Sequence, residues 1–368
     1  MQTERYGVAK RENNAKRSFM VINRKQAKLV PSSPTEALEQ FNKLAEKVRP
    51  TLREKKVLVI GFAESATAIG TALAAELGAW CINTTREPVS EPVILFSEDH
   101  SHASGQQILQ EPFLNILPQI DHILFAEDEI TTGKTICNCI KMIREVTDKE
   151  LTFSAASLIR ARNEASDSGF RKLGLEIVSL EQIETECFHD IVSKTEGNGE
   201  YYTGNAADNR IRICSVPARF SVRGLTNGMR CREKCLLFSE QISSLPEIQE
   251  ILPPMKNAGI LVMATEEYMY PVILFGANLE KLGYSVECQA VSRSPLLVDP
   301  DPDYPLRSRY ALHSFYETDR NVFLYNLTRH DSVIVMTDAQ NIPERNISEL
   351  SDILQMTGHS KNVLIQCK

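Results

Sequence analysis

The chain has 368 residues, 42% of them hydrophobic and 24% charged, with a formal net charge of -7. That length is generous for one core and implies two domains of ordinary globular composition. The acidic balance argues against a nucleic-acid binder, no apolar run approaches membrane-spanning length, and nine cysteines at irregular spacings point to reduced thiols in the cytoplasm.

Residues 1–34 form a basic N-terminal segment in which Arg5, Lys10, Arg11, Lys16, Arg17, Arg24, Lys25 and Lys28 outnumber Glu4 and Glu12. It reads as a flexible tail or as a strap over an anionic ligand, and no apolar core follows to make it a signal peptide. Residues 35–190 form the expected first domain. Lys56 to Ile60 predicts a buried strand, Gly61-Phe62-Ala63-Glu64-Ser65-Ala66-Thr67 a loop, and Ala68 to Leu77 a helix stopped by Gly78. A short strand then leads to Thr84-Thr85-Arg86-Glu87-Pro88. The apolar run from Ile123 predicts a strand ending at Glu127 and Asp128, and Ile136 to Val146 predicts the next helix. This alternation is a doubly wound α/β pattern with a mostly parallel sheet. Ligands of such sheets bind at the carboxyl ends of the strands, where all three loops fall.

The last loop carries the clearest chemistry. Thr131-Thr132-Gly133-Lys134-Thr135 places small hydroxyls and free backbone N–H groups at a helix N-terminus, which is a phosphate cradle. The acids before it would repel a phosphate but suit ribose hydroxyls or a metal ion. Together they describe a site for a phosphorylated ribose. A nucleotide P-loop is rejected, because the glycine it needs five residues before Gly133-Lys134 is Asp128.

Residues 191–245 read as a less regular connector, with a polar, Gly-rich mobile loop at Thr195 to Asn205 and a basic stretch of Arg210, Arg212, Arg219, Arg223 and Arg230. Cys187, His189, Cys214, Cys231 and Cys235 lack the paired spacing that a zinc site favours.

The stretch from Ile123 to Thr135 resembles the phosphoribosyl-pyrophosphate loop of type I phosphoribosyltransferases. The resemblance implies that Glu127 and Asp128 hold the ribose hydroxyls, while Thr131, Thr132, Gly133, Lys134 and Thr135 surround the 5′-phosphate. Glu127 departs from the Asp usual in that family. Gly61 to Thr67 matches the family's pyrophosphate loop in placement. There Glu64, beside Ser65, either serves through Mg²⁺ or orders the loop. Glu98-Asp99-His100-Ser101-His102-Ala103-Ser104-Gly105 takes the place of the mobile loop of orotate-type transferases. Displacement at ribose C1 builds negative charge on the departing pyrophosphate, so Arg86, His100 and His102 are the implied leaving-group donors. A metal site or a solvated loop is the other reading of the two histidines.

The ordered set of motifs, with Asn14-Ala15-Lys16-Arg17-Ser18-Phe19 before it, resembles a bacterial subfamily encoded beside tellurite-resistance and stress genes. That subfamily carries a fused C-terminal TRSP domain. Here Ser292-Arg293-Ser294-Pro295 and the run from Arg309 to Tyr316 resemble its motifs, with Ser292 where the name implies Thr. The resemblance implies a Mg²⁺-dependent transfer between phosphoribosyl pyrophosphate and a nitrogenous acceptor, with Asp128 toward the metal and a homodimer left open. A ligand-sensing regulator or a structural partner in a stress-response assembly is the alternative.

Residues 246–368 form the expected C-terminal α/β domain, and residues 260–295 repeat the pattern of 57–88. Ile123 to Asp128 finds its counterpart in Val333 to Asp338, after which Ala339-Gln340-Asn341-Ile342-Pro343 replaces the phosphate cradle. The expectation is a degenerate transferase-like domain. Arg293, Arg309, His313, Tyr316 and Arg320 are its candidate set for an anionic or planar ligand, or for an interface.

Overall fold

A computed structural model describes residues 5–12, 18–96, 105–162, 169–170, 173–185, 188–205, 211–218, 220–254 and 258–368. The chain divides into two compact units. A nested unit comprises Leu38–Thr185 and Phe220–Lys234; a bracketing unit comprises Met1–Ala37, Glu186–Arg219 and Cys235–Lys368. The first strands, β1 (Tyr6–Lys10) and β2 (Phe19–Asn23), pair as an antiparallel hairpin that belongs to the bracketing unit. Helix α1 (Pro34–Val48) leads from one unit into the other.

In the nested unit, β3 (Val57–Gly61), α2 (Thr67–Leu77), β4 (Trp80–Asn83), β7 (His122–Ile130), α4 (Lys134–Val146), β8 (Thr152–Arg162) and β9 (Glu176–Glu184) build the main sheet and its covering helices. An antiparallel hairpin, β5 (Val93–Phe96) with β6 (Gln106–Leu109), and a short α3 (Gln110–Ile116) are inserted between β4 and β7. The sheet order is β4-β3-β7-β8-β9, all parallel, and Thr226–Asn227 adds an antiparallel edge to β4. Its central strands are apolar throughout because helices cover both faces of such a sheet. Leu58, Ile60, Ile123, Phe125, Ile136, Ile140 and Phe113 share one buried cluster.

Strand β7 runs further than expected. It continues through Glu127, Asp128 and Glu129 to Ile130, because Glu127, Glu129 and Ile130 register against Ser157, Ile159 and Arg160 of β8. The following helix starts two residues before Ile136, at Lys134.

The bracketing unit repeats this topology. Its strands are β10 (Glu200–Thr203), β11 (Arg212–Val216), β12 (Gly259–Ala264), β13 (Ser285–Ala290), β14 (Ser308–His313), β15 (Asn321–Tyr325), β16 (Ser332–Thr337) and β17 (Asn362–Cys367). The main sheet runs β13-β12-β16-β17-β11, all parallel. That order matches β4-β3-β7-β8-β9 strand for strand, except that the last edge comes from earlier in the chain. Helix α5 (Met269–Lys281) joins β12 to β13 as α2 joins β3 to β4, and α6 (Glu344–Met356) joins β16 to β17 as α4 joins β7 to β8. The hairpin β14–β15 stands where β5–β6 stands. Even the isolated bridges agree: Thr85 pairs with Gln107, and Ser292 with Phe323.

Residues 5–12 and 18–32 are built into this unit. Arg11 bridges Leu296, Ser32 bridges Cys288, and Ala9, Met20, Ile22 and Leu29 share a buried cluster with Leu296, Leu306 and Tyr325. The expected mobile loop at 195–205 contains β10, which pairs in parallel with β14 and stacks Tyr202 on Tyr310, their ring centroids 5.0 Å apart. Its tyrosines suit a half-buried strand, which outweighs the glycines around them.

Candidate functional site

The carboxyl ends of β3, β4 and β7 bring three of the sequence motifs to one edge of the nested sheet. The loop after β3 is held tightly. Phe62 N–H donates to Ala126 O at 3.2 Å, Ala66 N–H to Phe62 O at 3.0 Å, and the Ala63–Glu64 peptide is cis. A Cβ on Gly61 would lie 2.3 Å from Asn83 Oδ1, and one on Gly70 would lie 2.7 Å from Gly61 Cα. Only hydrogen at both positions lets the loop turn this closely over the helix.

Side chains from the neighbouring strands fix that loop. Ala63 N–H donates to Thr84 Oγ1 at 2.7 Å, Thr84 Oγ1 donates to Gln106 Oε1 at 2.5 Å, and Gln106 Nε2 donates to Ala63 O at 2.5 Å. Arg86 reaches the same carbonyl with Nε at 3.4 Å, a long contact that sets the guanidinium against the loop. Glu64 and Ser65 are half-buried beside it. Gln107 Nε2 donates to Glu87 O at 2.5 Å, and Arg223 Nε donates to Thr85 Oγ1 at 3.3 Å. The sequence places Thr84 in its loop without a role and gives no sign of Gln106 and Gln107. Their roles come from strand β6 returning to the loop, a non-local contact with no motif.

At the end of β7, Glu127 and Asp128 are half-buried. Gly133 caps α4 with φ +63°, and no side chain caps the helix. The positive end of the helix therefore opens on the loop, beside Thr131, Thr132, Lys134 and Thr135. A Cβ on Gly133 would lie 2.1 Å from the Phe170 ring, so glycine is required by space as well as by φ. His100 and His102 lie outside the described residues, as do the rest of Glu98 to Ser104 and the basic positions Lys16, Arg17, Arg210 and Arg219.

The five candidates of the bracketing unit separate into three places. Arg293 Nε and Arg320 Nη2 meet on Glu266 Oε2 at 3.0 and 2.6 Å. Tyr316 donates to Asp338 Oδ1 at 2.6 Å at the end of β16 and lies 2.9 Å from Thr265 Oγ1. His313 is engaged elsewhere, its Nδ1 2.8 Å from Glu349 Oε2, which Arg345 also flanks. Arg309 pairs with Glu12 at 2.7 Å and lies over the rings of Tyr201 and Phe323. Arg293, Arg320 and Tyr316 thus sit at the carboxyl edge, while His313 and Arg309 tie down other elements.

Residues 6–186 match the family described as phosphoribosyl transferase, and residues 228–354 match the TRSP domain found C-terminal to it. The chain is a phosphoribosyl transferase domain fused to a TRSP domain. Among solved structures, adenine phosphoribosyltransferase from Rhodothermus marinus is 15% identical, covering 49% of this chain and 95% of its own, with a TM-score of 0.35. The Giardia lamblia enzyme complexed with 9-deazaadenine is 18% identical over 48% and 93%, with a TM-score of 0.36. Orotate phosphoribosyltransferase from Aeropyrum pernix is 15% identical over 43% and 77%, with a TM-score of 0.29. No curated protein matches the chain significantly in sequence. The family assignment rests on the two domain matches, not on these distant likenesses. No helix among the described residues is long and apolar enough to cross a membrane.

Proposed function

We propose that the nested unit binds phosphoribosyl pyrophosphate and transfers its phosphoribosyl group to a nitrogenous base, or runs the reverse reaction. The observation that carries this reading is the pairing of Glu127 and Asp128 at the end of β7 with the Gly133-capped start of α4. Carboxylates accept from ribose 2′- and 3′-hydroxyls, and a few residues later the backbone at the start of α4 and the Thr hydroxyls receive the 5′-phosphate. In the loop from Phe62 to Ala66 the N–H groups of Phe62, Ala63 and Ala66 are engaged within the protein, so Glu64 and Ser65 are the positions turned to the diphosphate, with Thr84 and Gln106 holding the loop in shape. Arg86 brings positive charge to that loop as the leaving group gains negative charge.

Mg²⁺ fits this donor set only in company. Among the described residues no group of three or more His, Cys, Asp or Glu side chains is placed to hold a metal ion. The hard carboxylate oxygens of Asp128 suit Mg²⁺, which commonly takes one or two carboxylates together with substrate phosphates. When bound, the ion would neutralise charge on the departing pyrophosphate. We assign the product to a nucleoside-like metabolite of a stress response, a reading supported by the TRSP fusion and its resemblance to the tellurite-resistance subfamily.

The test is incubation of the full chain with phosphoribosyl pyrophosphate, Mg²⁺ and a panel of nitrogenous bases while pyrophosphate is followed. Release that depends on one base and is lost in Asp128→Asn is expected. Tight binding of phosphoribosyl pyrophosphate without release for any base would make the unit a sensor.

A further inference from the structure

The opposite end of the nested sheet carries a second concavity. A groove of about 650 Å³ opens where β3 and β4 begin, among Arg49, Arg53, Lys55, Lys56, Trp80 and Gln119. Its volume lies in the range of small-molecule sites, whereas protein-docking surfaces are flatter. No carboxylate-bearing residue lines it among the described residues.

The four cations keep their charge available. Arg49 donates through Nη2 to the backbone carbonyl of Glu76 at 2.6 Å, which orients the guanidinium without neutralising it. The Glu76 carboxylate is paired instead with Arg232. Arg53, Lys55 and Lys56 are exposed, and none forms an ion pair among the described residues. Four like charges gathered in one concavity repel one another, and an anion relieves that repulsion.

Beside them stands Trp80, the one tryptophan of the chain and 37% exposed. Burial is the usual fate of so large an apolar ring. Here it forms part of a groove wall and offers a flat π face next to a cationic cluster. Gln119 contributes an amide whose Nε2 donates one hydrogen to Asn115 O at 3.2 Å, which leaves its second hydrogen and its carbonyl oxygen to read the edge of a ring. A planar face, an edge-reading amide and a run of cations match the three parts of a nucleotide: base, base edge and phosphates.

We propose that this groove is a nucleotide-binding site, with the base against Trp80 and the phosphates on Arg49, Arg53, Lys55 and Lys56. It is separate from the Glu127–Thr135 cradle and does not depend on the activity proposed for it. Strand β3 starts in the groove and ends, roughly 15 Å away, at the loop that follows Gly61. Occupancy of one end is therefore joined to the other by a single rigid strand.

Trp80 itself reports the outcome. The full chain is titrated with ATP at about 0.15 M ionic strength, where diffuse attraction between exposed charges is screened. A saturable change in tryptophan fluorescence is expected, matched by calorimetry. The triple variant Arg53→Ala/Lys55→Ala/Lys56→Ala should bind ATP at least tenfold more weakly with its melting temperature kept. Adenosine alone and tripolyphosphate alone should each bind at least tenfold more weakly than ATP. The signal should persist in Thr131→Ala/Thr132→Ala, which disables the cradle at the other end. Absence of ATP binding by both methods, loss of the signal in the threonine variant, or polyglutamate or tripolyphosphate binding as tightly as ATP would overturn the proposal.

Discussion

The carboxyl edges of the two sheets share a framework and differ in what it holds. In the nested unit, Thr84 N–H donates to Gly61 O and Phe62 N–H to Ala126 O; in the bracketing unit, Val291 N–H donates to Ala264 O and Thr265 N–H to Met336 O. These bonds set Ala63 against Glu266, Glu127 against Thr337 and Asp128 against Asp338. At the first position a backbone stretch fastened by Thr84 and Gln106 gives way to a carboxylate that is 1% exposed and gripped by Arg293, Arg320 and Ser314. At the third, the acid survives but receives the Tyr316 hydroxyl. Where Gly133 opens a helix start, Pro343 precedes α6. The proposed function has the first architecture take an external anion, while its counterpart supplies an anion from its own chain. A binding edge is closed by a few residues, with no change in strand order.

The largest effect should come from Glu266→Ala. Arg293 and Arg320 are only 14% and 15% exposed, so removing the carboxylate they share breaks a buried ion pair on each, although Arg320 keeps Glu317. The expected loss is about 3–5 kcal/mol in urea unfolding. A loss below about 1 kcal/mol would mean that water already satisfies the arginines, and the contrast with Ala63 would weaken.

Asp128→Asn should weaken phosphoribosyl pyrophosphate binding at least tenfold, as a charge-assisted hydrogen bond is worth about 1.5–3 kcal/mol. Asp338→Asn should leave that affinity unchanged. Calorimetry on both variants compares the two acids, and equal losses would erase the distinction.

Gly133→Ala should cost about 1–2 kcal/mol from its left-handed backbone alone, with a further cost as Phe170 is displaced. Ribose 5-phosphate binding should fall with it. A variant that melts and binds like the parent would show that the loop reshapes freely.

The smallest effect is one of pH. Burial pushes His122 down to about 4, with Lys55 adding to the depression, and its ring nitrogens lie 2.6 and 2.7 Å from Thr152 and Ser154 hydroxyl oxygens. The unfolded chain binds a proton here near the ordinary value of about 6.5, so it gains protons first on acidification. The stability His122 contributes is therefore complete above about 6.5 and is lost as pH falls toward 4. The loss should be roughly 1 kcal/mol between pH 6 and 5. The strand register sets Ser332 at the matching position of the other sheet, with no such titration. His122→Gln should flatten the acid limb of a denaturation series, and an unaltered limb would assign it to other groups.

What was legible in the sequence follows from range. Gly133, the acids before it and the helix after it lie in one unbroken stretch from Glu127 to Val146, so chemistry and spacing were visible together. The duplicated sheet was legible because each strand–helix–strand passage is local. The hold that Thr84 and Gln106 have on Ala63 was not, since Ala63 lies 21 and 43 residues away from them. The length of β7 was misjudged because its acids sit in register with β8, and no local signal records that pairing. The five residues expected to share a ligand in the second sheet were grouped by residue type. Glu349 and Glu12, which claim His313 and Arg309, could be identified only from the folded chain.

The nesting of one unit inside the sequence of the other sets an order of events during synthesis. Strand β1 leaves the ribosome before the rest of its unit, and Arg11 finds Leu296 only after 285 further residues. The nested sheet can close while its neighbour still lacks every strand of its main sheet. The bracketing unit must wait for nearly the whole chain, holding its first hairpin in reserve. Its contacts have the longest sequence separation in the molecule, which slows closure and exposes apolar strands meanwhile. A ribosome stalled after residue 250 would thus release a chain with one finished sheet beside a hairpin and two strands that still lack their partners, a ready substrate for chaperones and proteases.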